Sequence, residues 1–144
     1  MSAPGSNVTA GVAPEVEVGH KLPELKLYGD PTFIVSTAIA TRDYQDVHHD
    51  RDKAHAKGSK DIFVNILTDT GLVQRYITDW AGPSAVIKTI GLRLGVPWYA
   101  YDTVAFNGEV TAIADGLITL KIVGSNSLGD HVIANATLTI GGAA

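Results

Sequence analysis

Acidic and imidazole side chains crowd into one short stretch of this 144-residue chain. Carboxylates and imidazoles are the groups that most often move protons near neutral pH, so the stretch favours general acid–base chemistry. Composition alone equally fits a solvated, charged loop, and only the order of the residues separates the two interpretations. The residues concerned are Asp43, Asp46, His48, His49, Asp50, Asp52 and His55.

A metal site is the second chemistry that these residue types allow. His48 and His49 are adjacent and cannot easily face one ion together, and no HExxH helix follows them. The chain contains no cysteine, which removes thiolate sites and disulfides. We therefore expect no metal ligands in the loop.

The elements around this loop are predicted to be a strand before it and a long helix after it. Residues 32–40 are rich in β-branched side chains and follow the turn residues Gly29, Asp30 and Pro31, which predicts the first core strand. Residues 61–80 repeat apolar side chains at four-and-three spacing, which predicts a buried helix with Ser59 as its N-cap. The loop, with room for a short helical turn, would lie between them.

Four strands are predicted after Pro83, separated by turn residues. Asp115-Gly116 joins two alternating runs and predicts a hairpin, whereas Asn107-Gly108 fits a bulge within a longer strand. Because helices and strands are not interleaved, the pattern disfavours a doubly wound parallel sheet. The predicted fold class is α+β, an antiparallel sheet wrapped around one long central helix. Residues 1–20 are predicted to be a flexible N-terminal tail, and residues 21–144 one domain.

Several function classes are disfavoured by composition and missing motifs. The net charge is −4 and no Lys/Arg cluster is present, so nucleic-acid binding is not expected. No stretch approaches the roughly 20 apolar residues of a membrane span, and no secretory pattern opens the chain. We therefore expect no membrane association and a cytoplasmic location. Neither a Gly-rich phosphate loop nor a G-x-S-x-G elbow occurs.

The order of the loop residues carries a specific resemblance. DYQDVH over residues 43–48, followed by five residues and Ala54, resembles the signature of MaoC-like and (R)-specific enoyl-CoA hydratases. That signature runs Asp, any residue, Asn, Pro, aliphatic, His, five residues, then Ala or Ser. The likeness covers about residues 22–140, including NSLGDHV near the C-terminus. RDYQDVHHDRDKA and KDIFVNILTDTGLVQRYITDWAGP are most similar to the small MaoC-like subunits of actinobacterial steroid side-chain hydratases.

The resemblance implies a hot-dog fold and syn hydration of a trans-2-enoyl-CoA, with a steroid side-chain thioester of cholesterol degradation as substrate. Asp43 and His48 would hold and activate the water, with the roles of base and acid left open. Asn65 stands where the family places a His-Gly pair, and its backbone N–H is the candidate oxyanion donor. Gln45 replaces the family's Asn and is a candidate substrate contact. Coenzyme A enters as part of the substrate, and no cofactor is required.

The resemblance also implies an oligomer. Hot-dog units pair their sheets, and the closer likeness implies a hetero-oligomer with a second MaoC-like subunit that lacks the dyad, or otherwise a homodimer. Two alternatives remain open from sequence. Asp69 lies on the helix stripe and could act as the acid of a hot-dog acyl-CoA thioesterase. The chain could also be a non-catalytic subunit that supports a partner's pocket, although it retains both Asp43 and His48.

Overall fold

A computed structural model of the protein describes residues 16–141. Within this range, three α-helices and five strands follow one another, and a 3-10 turn, Asp46–His48, separates the first two helices. No helix in this range is long and apolar enough to cross a membrane. In chain order the elements are β1 (Lys21–Gly29), α1 (Pro31–Ala40), α2 (Arg51–Ala56), α3 (Ile66–Ala81), β2 (Val86–Leu94), β3 (Asp102–Ala114), β4 (Leu117–Asn126) and β5 (Gly129–Thr139).

The strands form one antiparallel sheet in the order β1-β3-β4-β5-β2. The Asp115-Gly116 hairpin between β3 and β4 is confirmed, since both residues have positive φ, 50° and 78°, as a two-residue hairpin turn with positive φ at both positions requires. Asn107-Gly108 lies inside β3, and the register of β3 against β4 shifts slightly later, between Val110 and Ala112. The predicted bulge is therefore displaced by a few residues.

The long helix α3 packs its apolar stripe against this sheet. Val73, Tyr76 and Ile77 are buried, and the Tyr76 ring lies 6.2 Å from that of Phe106 on β3. The opposing sheet face contributes alternating buried side chains, as the pleat dictates. This arrangement confirms the predicted α+β architecture. The buried apolar side chains of β3, β4 and β5 are Val104, Phe106, Val110, Ile118, Leu120, Ile122, Val132, Ala134, Ala136 and Leu138.

The strand predicted over residues 32–40 is wrong, because this segment is helix α1. Asp30 is its N-cap and accepts a hydrogen bond from the Phe33 N–H at 2.7 Å, and Pro31 occupies the first helical turn. Ile34 and Ala38, four residues apart, supply its buried face. Capping and tertiary packing outweigh the β-propensity of the segment, which is a weak preference. The first strand is instead β1, which precedes this helix.

The predicted central helix starts five residues too early. Residues 61–65 lie outside the helix, and the N–H groups of Phe63 and Val64 donate to the carbonyls of Val47 and Trp98. Ser59 is not a cap, because its hydroxyl donates to the Asp61 carbonyl. Asn65 takes the N-cap position of α3 instead. Tertiary backbone pairing, which no local pattern reveals, decides where this helix begins.

The predicted N-terminal tail falls mostly outside the described residues, which begin at residue 16. Its last residues, which are described, contact the domain. The Gly19 N–H donates to the Val110 carbonyl at 2.8 Å, and the His20 ring stacks on Trp80 with centroids 5.8 Å apart.

Candidate active site

Asp43 is positioned by the C-terminal end of α1. The helix ends in a Schellman arrangement, in which Arg42 N–H donates to the Ile39 carbonyl and Asp43 N–H to the Ala38 carbonyl, at 3.0 and 2.9 Å. Arg42 has φ of 58°, the left-handed conformation that this motif requires at its turning residue. Asp43 therefore follows a sharp reversal at a fixed place. The misassigned strand is thus the helix that presents the first candidate catalytic group.

His48 is positioned from the other side by the extended segment before α3. The ring is buried, and its Nδ1 lies 2.7 Å from the Phe63 carbonyl oxygen. A carbonyl oxygen only accepts, so Nδ1 carries the proton in the neutral ring and Nε2 carries the lone pair. Nε2 lies 3.4 Å from Asp43 Oδ2. The structure thus brings the two predicted residues together with a tautomer that leaves Nε2 able to accept a proton.

Asn65 connects this pair to α3. Its side chain is buried, and Nδ2 donates to Asp43 Oδ2 at 3.2 Å and to Thr41 Oγ1 at 2.8 Å. Its Oδ1 accepts from the Thr68 hydroxyl. Sequence reasoning proposed only the backbone N–H of Asn65 and missed both threonines. The contact of Thr41 with Asn65 is long-range, and the contact of Thr68 depends on Asn65 being the N-cap, which the predicted helix start excluded. The amide group therefore orients the Asp43 carboxylate as well as linking α1 to α3.

The start of α3 gives the site a positive end. The Asp69 N–H donates to the Asn65 carbonyl at 3.3 Å, the first hydrogen bond of the helix. The preceding N–H groups in this turn have no acceptor within the helix and carry the positive end of its dipole. Because Asn65 is the N-cap and not an interior residue, its own N–H lies at this end. That position suits a donor to developing negative charge.

Gln45 contributes to the loop chiefly through its backbone. Its side chain is exposed and makes no cap hydrogen bond to the 3-10 turn, whereas its N–H lies 3.4 Å from Asp43 Oδ1. The substrate contact predicted for Gln45 stays a prediction.

Asp46, Asp50 and His55 of the loop have structural partners. Asp50 caps α2 by accepting from Lys53 N–H at 3.0 Å, and Asp46 lies 3.6 Å from the Lys53 ammonium group. His55 Nε2 lies 2.9 Å from the Lys60 carbonyl oxygen, and His49 is exposed. Across residues 16–141, no group of three or more His, Asp or Glu side chains is arranged to hold a metal ion. These residues shape the surface of the loop.

Asp69, the acid considered for a thioesterase, does not reach the site or solvent. It is 0% exposed, and both its carboxylate oxygens lie 2.9 Å from His131 Nε2. Sequence reasoning did not identify His131 as the partner of Asp69, although His131 is the residue directly after the hairpin sequence NSLGD. A carboxylate enclosed in this way cannot touch an acyl thioester, so the thioesterase alternative loses its catalytic residue.

No family model matches the chain. A curated protein of Mycobacterium tuberculosis (strain ATCC 25618 / H37Rv), the 3-oxo-4,17-pregnadiene-20-carboxyl-CoA hydratase beta subunit, is 81% identical over 123 residues. The match covers 85% of this chain and 95% of that protein.

Solved structures show the same fold. A chain of the ChsH1–ChsH2 complex from Mycobacterium tuberculosis is 79% identical, with a TM-score of 0.86 over 88% of this chain and 99% of that chain. The (R)-hydratase from A. caviae involved in PHA biosynthesis is 20% identical, with a TM-score of 0.81 over 89% of this chain and 99% of that one. The second likeness concerns the fold alone, and it confirms the predicted hot-dog architecture.

Proposed function

Because this chain belongs to the MaoC-like hydratase family of the steroid-CoA hydratase beta subunit, we propose that it hydrates the α,β double bond of a trans-2-enoyl-CoA. The observation that carries the proposal is the approach of His48 Nε2 to Asp43 Oδ2, 3.4 Å apart, with Nδ1 held by the Phe63 carbonyl. In this arrangement, two proton acceptors converge on one point beside the start of a helix.

A water molecule that contacts both groups would donate its hydrogens to the carboxylate and to Nε2. It would then be oriented with a lone pair toward the substrate Cβ. As the C–O bond forms, His48 takes the water's proton at Nε2, and the Asp43 carboxylate stabilises the imidazolium. The proton then passes to Cα on the same face, which gives syn addition and restores the neutral ring. The chemistry uses no metal or redox cofactor, and coenzyme A enters with the substrate.

The negative charge that develops on the thioester oxygen needs a preorganised donor. The N–H of Asn65 and the first turn of α3 lie next to Asp43 and present the positive end of the helix dipole. We assign the oxyanion contact to the Asn65 N–H. Its side-chain amide meanwhile holds Asp43, so one residue serves both the water and the enolate.

The name of the close relative supports a substrate class. That protein is named for a steroid carboxyl-CoA, and 81% identity over 123 residues leaves little room for a different pocket. We therefore propose a steroid side-chain enoyl-CoA as the substrate, in the breakdown of the cholesterol side chain.

A second subunit is part of the proposal. Tyr44, Ile66 and Leu67 neighbour the site residues in the chain and are 66%, 46% and 49% exposed. Apolar side chains beside a reaction centre mark surfaces that a substrate or partner covers. The curated relative is named as a beta subunit, and the 79% identical solved chain belongs to the ChsH1–ChsH2 complex. We propose that a second MaoC-like chain completes the pocket of this one.

The test is hydration of short-chain, long-chain and steroid enoyl-CoA thioesters by this chain, alone and co-expressed with a second MaoC-like subunit. Loss of enoyl absorbance is followed. We expect turnover of the steroid thioester by the co-expressed pair, and loss of about 1,000-fold or more in His48→Ala. His49→Ala, the exposed neighbouring histidine, is the matched control and should retain activity. Thioester cleavage without hydration in every combination would overturn the proposal.

A further inference from the structure

A fully buried ionisable pair lies next to the site, and the proposed chemistry does not use it. Asp69 on α3 is 0% exposed, and His131 on β5 is 1% exposed. Nε2 of His131 lies 2.9 Å from each Asp69 oxygen, and Nδ1 lies 2.6 Å from the Val96 carbonyl oxygen. Buried charge is costly unless it is paired and hydrogen-bonded, so this pair requires an explanation.

The contacts fix the number of protons on the pair. Because the Val96 carbonyl only accepts, Nδ1 carries a hydrogen, and one further proton lies between Nε2 and the carboxylate. Burial raises the pKa of Asp69. Burial by itself lowers the pKa of His131, but the hydrogen bond and charge of Asp69, with the bond to the Val96 carbonyl, together raise it above its usual value. Because both pKa values are raised, the proton shared by Asp69 and His131 is retained. The pair is therefore neutral as a unit.

Short hydrogen-bonded steps connect the pair to the catalytic groups. Asp69 directly follows Thr68, whose hydroxyl donates to the Asn65 side chain, and Asn65 donates to Asp43 Oδ2 at 3.2 Å. On the other side of Asn65, the Val64 N–H donates to the Trp98 carbonyl at 3.0 Å.

Trp98, which accepts the bond from Val64, lies in the segment of residues 95–98 between β2 and β3. The same segment is joined to β5, since Gly95 N–H donates to the His131 carbonyl at 2.7 Å. His131 also holds the Val96 carbonyl through Nδ1. The residues on both sides of Asn65 are therefore held in place. Val64 is bonded to Trp98, and Asp69 is bonded to His131.

We propose that Asp69 and His131 are positioning residues for hydration. As a neutral buried pair they anchor the first turn of α3. This anchor keeps the Asn65 side-chain amide on the Asp43 carboxylate and keeps the Asn65 N–H directed at the thioester oxygen. The inference rests on the proposed function. The pair also has an electrostatic consequence. An unpaired Asp69 carboxylate in this turn would oppose the negative charge that develops on the thioester oxygen, and His131 cancels it.

The test uses kcat and KM against pH, in the assembly in which the wild type is active. His131→Asn keeps a donor for the Val96 carbonyl but leaves Asp69 unpaired. We expect kcat to fall about 10- to 100-fold, and to fall further as rising pH ionises Asp69, while KM stays within about threefold. Asp69→Asn/His131→Asn removes the charge and should remove this new pH dependence and recover part of kcat. Asp79→Asn, at the exposed end of α3, is the control.

A second variant covers the case in which His131→Asn does not fold. Replacing a buried ion pair by apolar residues is often neutral or stabilising, so Asp69→Leu/His131→Leu should fold. We expect kcat about 10-fold or more below wild type at unchanged KM, because α3 loses its anchor. Wild-type kcat in this variant, or in folded His131→Asn, would overturn the inference. An inactive wild type would instead indicate failure of the proposed function, which His48→Ala tests separately.

Discussion

At the scale of single residues, the proposed role of His48 Nε2 depends on what the other ring nitrogen, Nδ1, contacts. The Phe63 carbonyl at 2.7 Å fixes the hydrogen on Nδ1, and this leaves Nε2 directed at Asp43. A histidine free to exchange tautomers would present the lone pair only part of the time. The Phe63 carbonyl is available to His48 because residues 61–65 lie outside the helix. The sequence analysis placed these residues inside the helix, so it did not identify this carbonyl as the partner of His48.

Asn65 gives the sharpest prediction at this scale. Asn65→Ala keeps the backbone N–H but removes the amide that donates to Asp43 Oδ2. Because Asp43 then loses its orientation, we expect kcat to fall about 10- to 100-fold in steady-state hydration. Asn107→Ala is the matched control, since Asn107 makes the same kind of bond to exposed Glu24 at 3.0 Å. Equal effects of the two substitutions would contradict the role given to Asn65.

The candidate site was partly accessible from sequence at this scale. The DYQDVH order and its likeness to a family identified Asp43 and His48, and the structure brings them within 3.4 Å. Thr41, Thr68 and His131 were missed. Thr41 and His131 act through contacts to residues on other elements, which residue type alone does not reveal. Thr68 contacts Asn65 within the first turn of α3, and it was missed because the helix start was predicted five residues too early.

At the scale of elements, local patterns predicted the sheet better than the helices. The four strands after Pro83 and the Asp115-Gly116 hairpin follow from alternation and turn chemistry. Helix α1 was missed although Asp30-Pro31, a cap followed by proline, is a helix-start signal. The β-branched residues after Pro31 led to the strand prediction. The cap and the packing of Ile34 and Ala38 instead stabilise a helix.

Gly95 sets how closely the segment after β2 approaches β5. A Cβ at this position would lie 2.2 Å from the Asp130 carbonyl oxygen, so backbone would have to move. We expect Gly95→Ala to lower the free energy of unfolding by about 1–3 kcal/mol in urea titrations. Gly91→Ala on β2 is the control, because nothing lies within 4 Å of its Cβ. If Gly95→Ala and Gly91→Ala have equal free energies of unfolding, the close approach of Gly95 to the Asp130 carbonyl does not require a glycine.

The Asp69–His131 pair makes stability depend on pH. His131 has a pKa raised above 6.5 through its bond to Asp69, despite burial, and burial raises the pKa of Asp69 above 3.8. Folding therefore takes up protons. The stabilising contribution is full below the unfolded-state pKa and is lost as pH rises through the folded-state pKa.

This dependence can be isolated with Asp69→Asn, whose amide can donate to neutral His131. The difference in unfolding free energy between wild type and Asp69→Asn should shrink as pH rises from about 6 to about 9. Urea titrations across this range measure it. A difference that grows with pH would contradict the assigned protonation of the pair.

At the scale of the whole molecule, the fold places the candidate active site beside exposed apolar side chains. Asp43 and His48 lie between α1 and α3, beside the exposed apolar side chains Ile66 and Leu67. The sheet also ends in two edges, β1 and β2, of which β2 presents mainly exposed residues. An edge strand readily accepts another strand, so sheet pairing with the proposed second subunit would cover β2.

The most direct test of the account is a double-mutant cycle at the dyad, measured as kcat/KM for steroid enoyl-CoA hydration by the assembled protein. If Asp43 and His48 act on one water, Asp43→Asn, His48→Ala and the double variant should lose similar factors, because removing either partner disables the unit. Multiplicative losses would show two independent contributions. Hydration at the wild-type rate by the double variant would contradict the central claim.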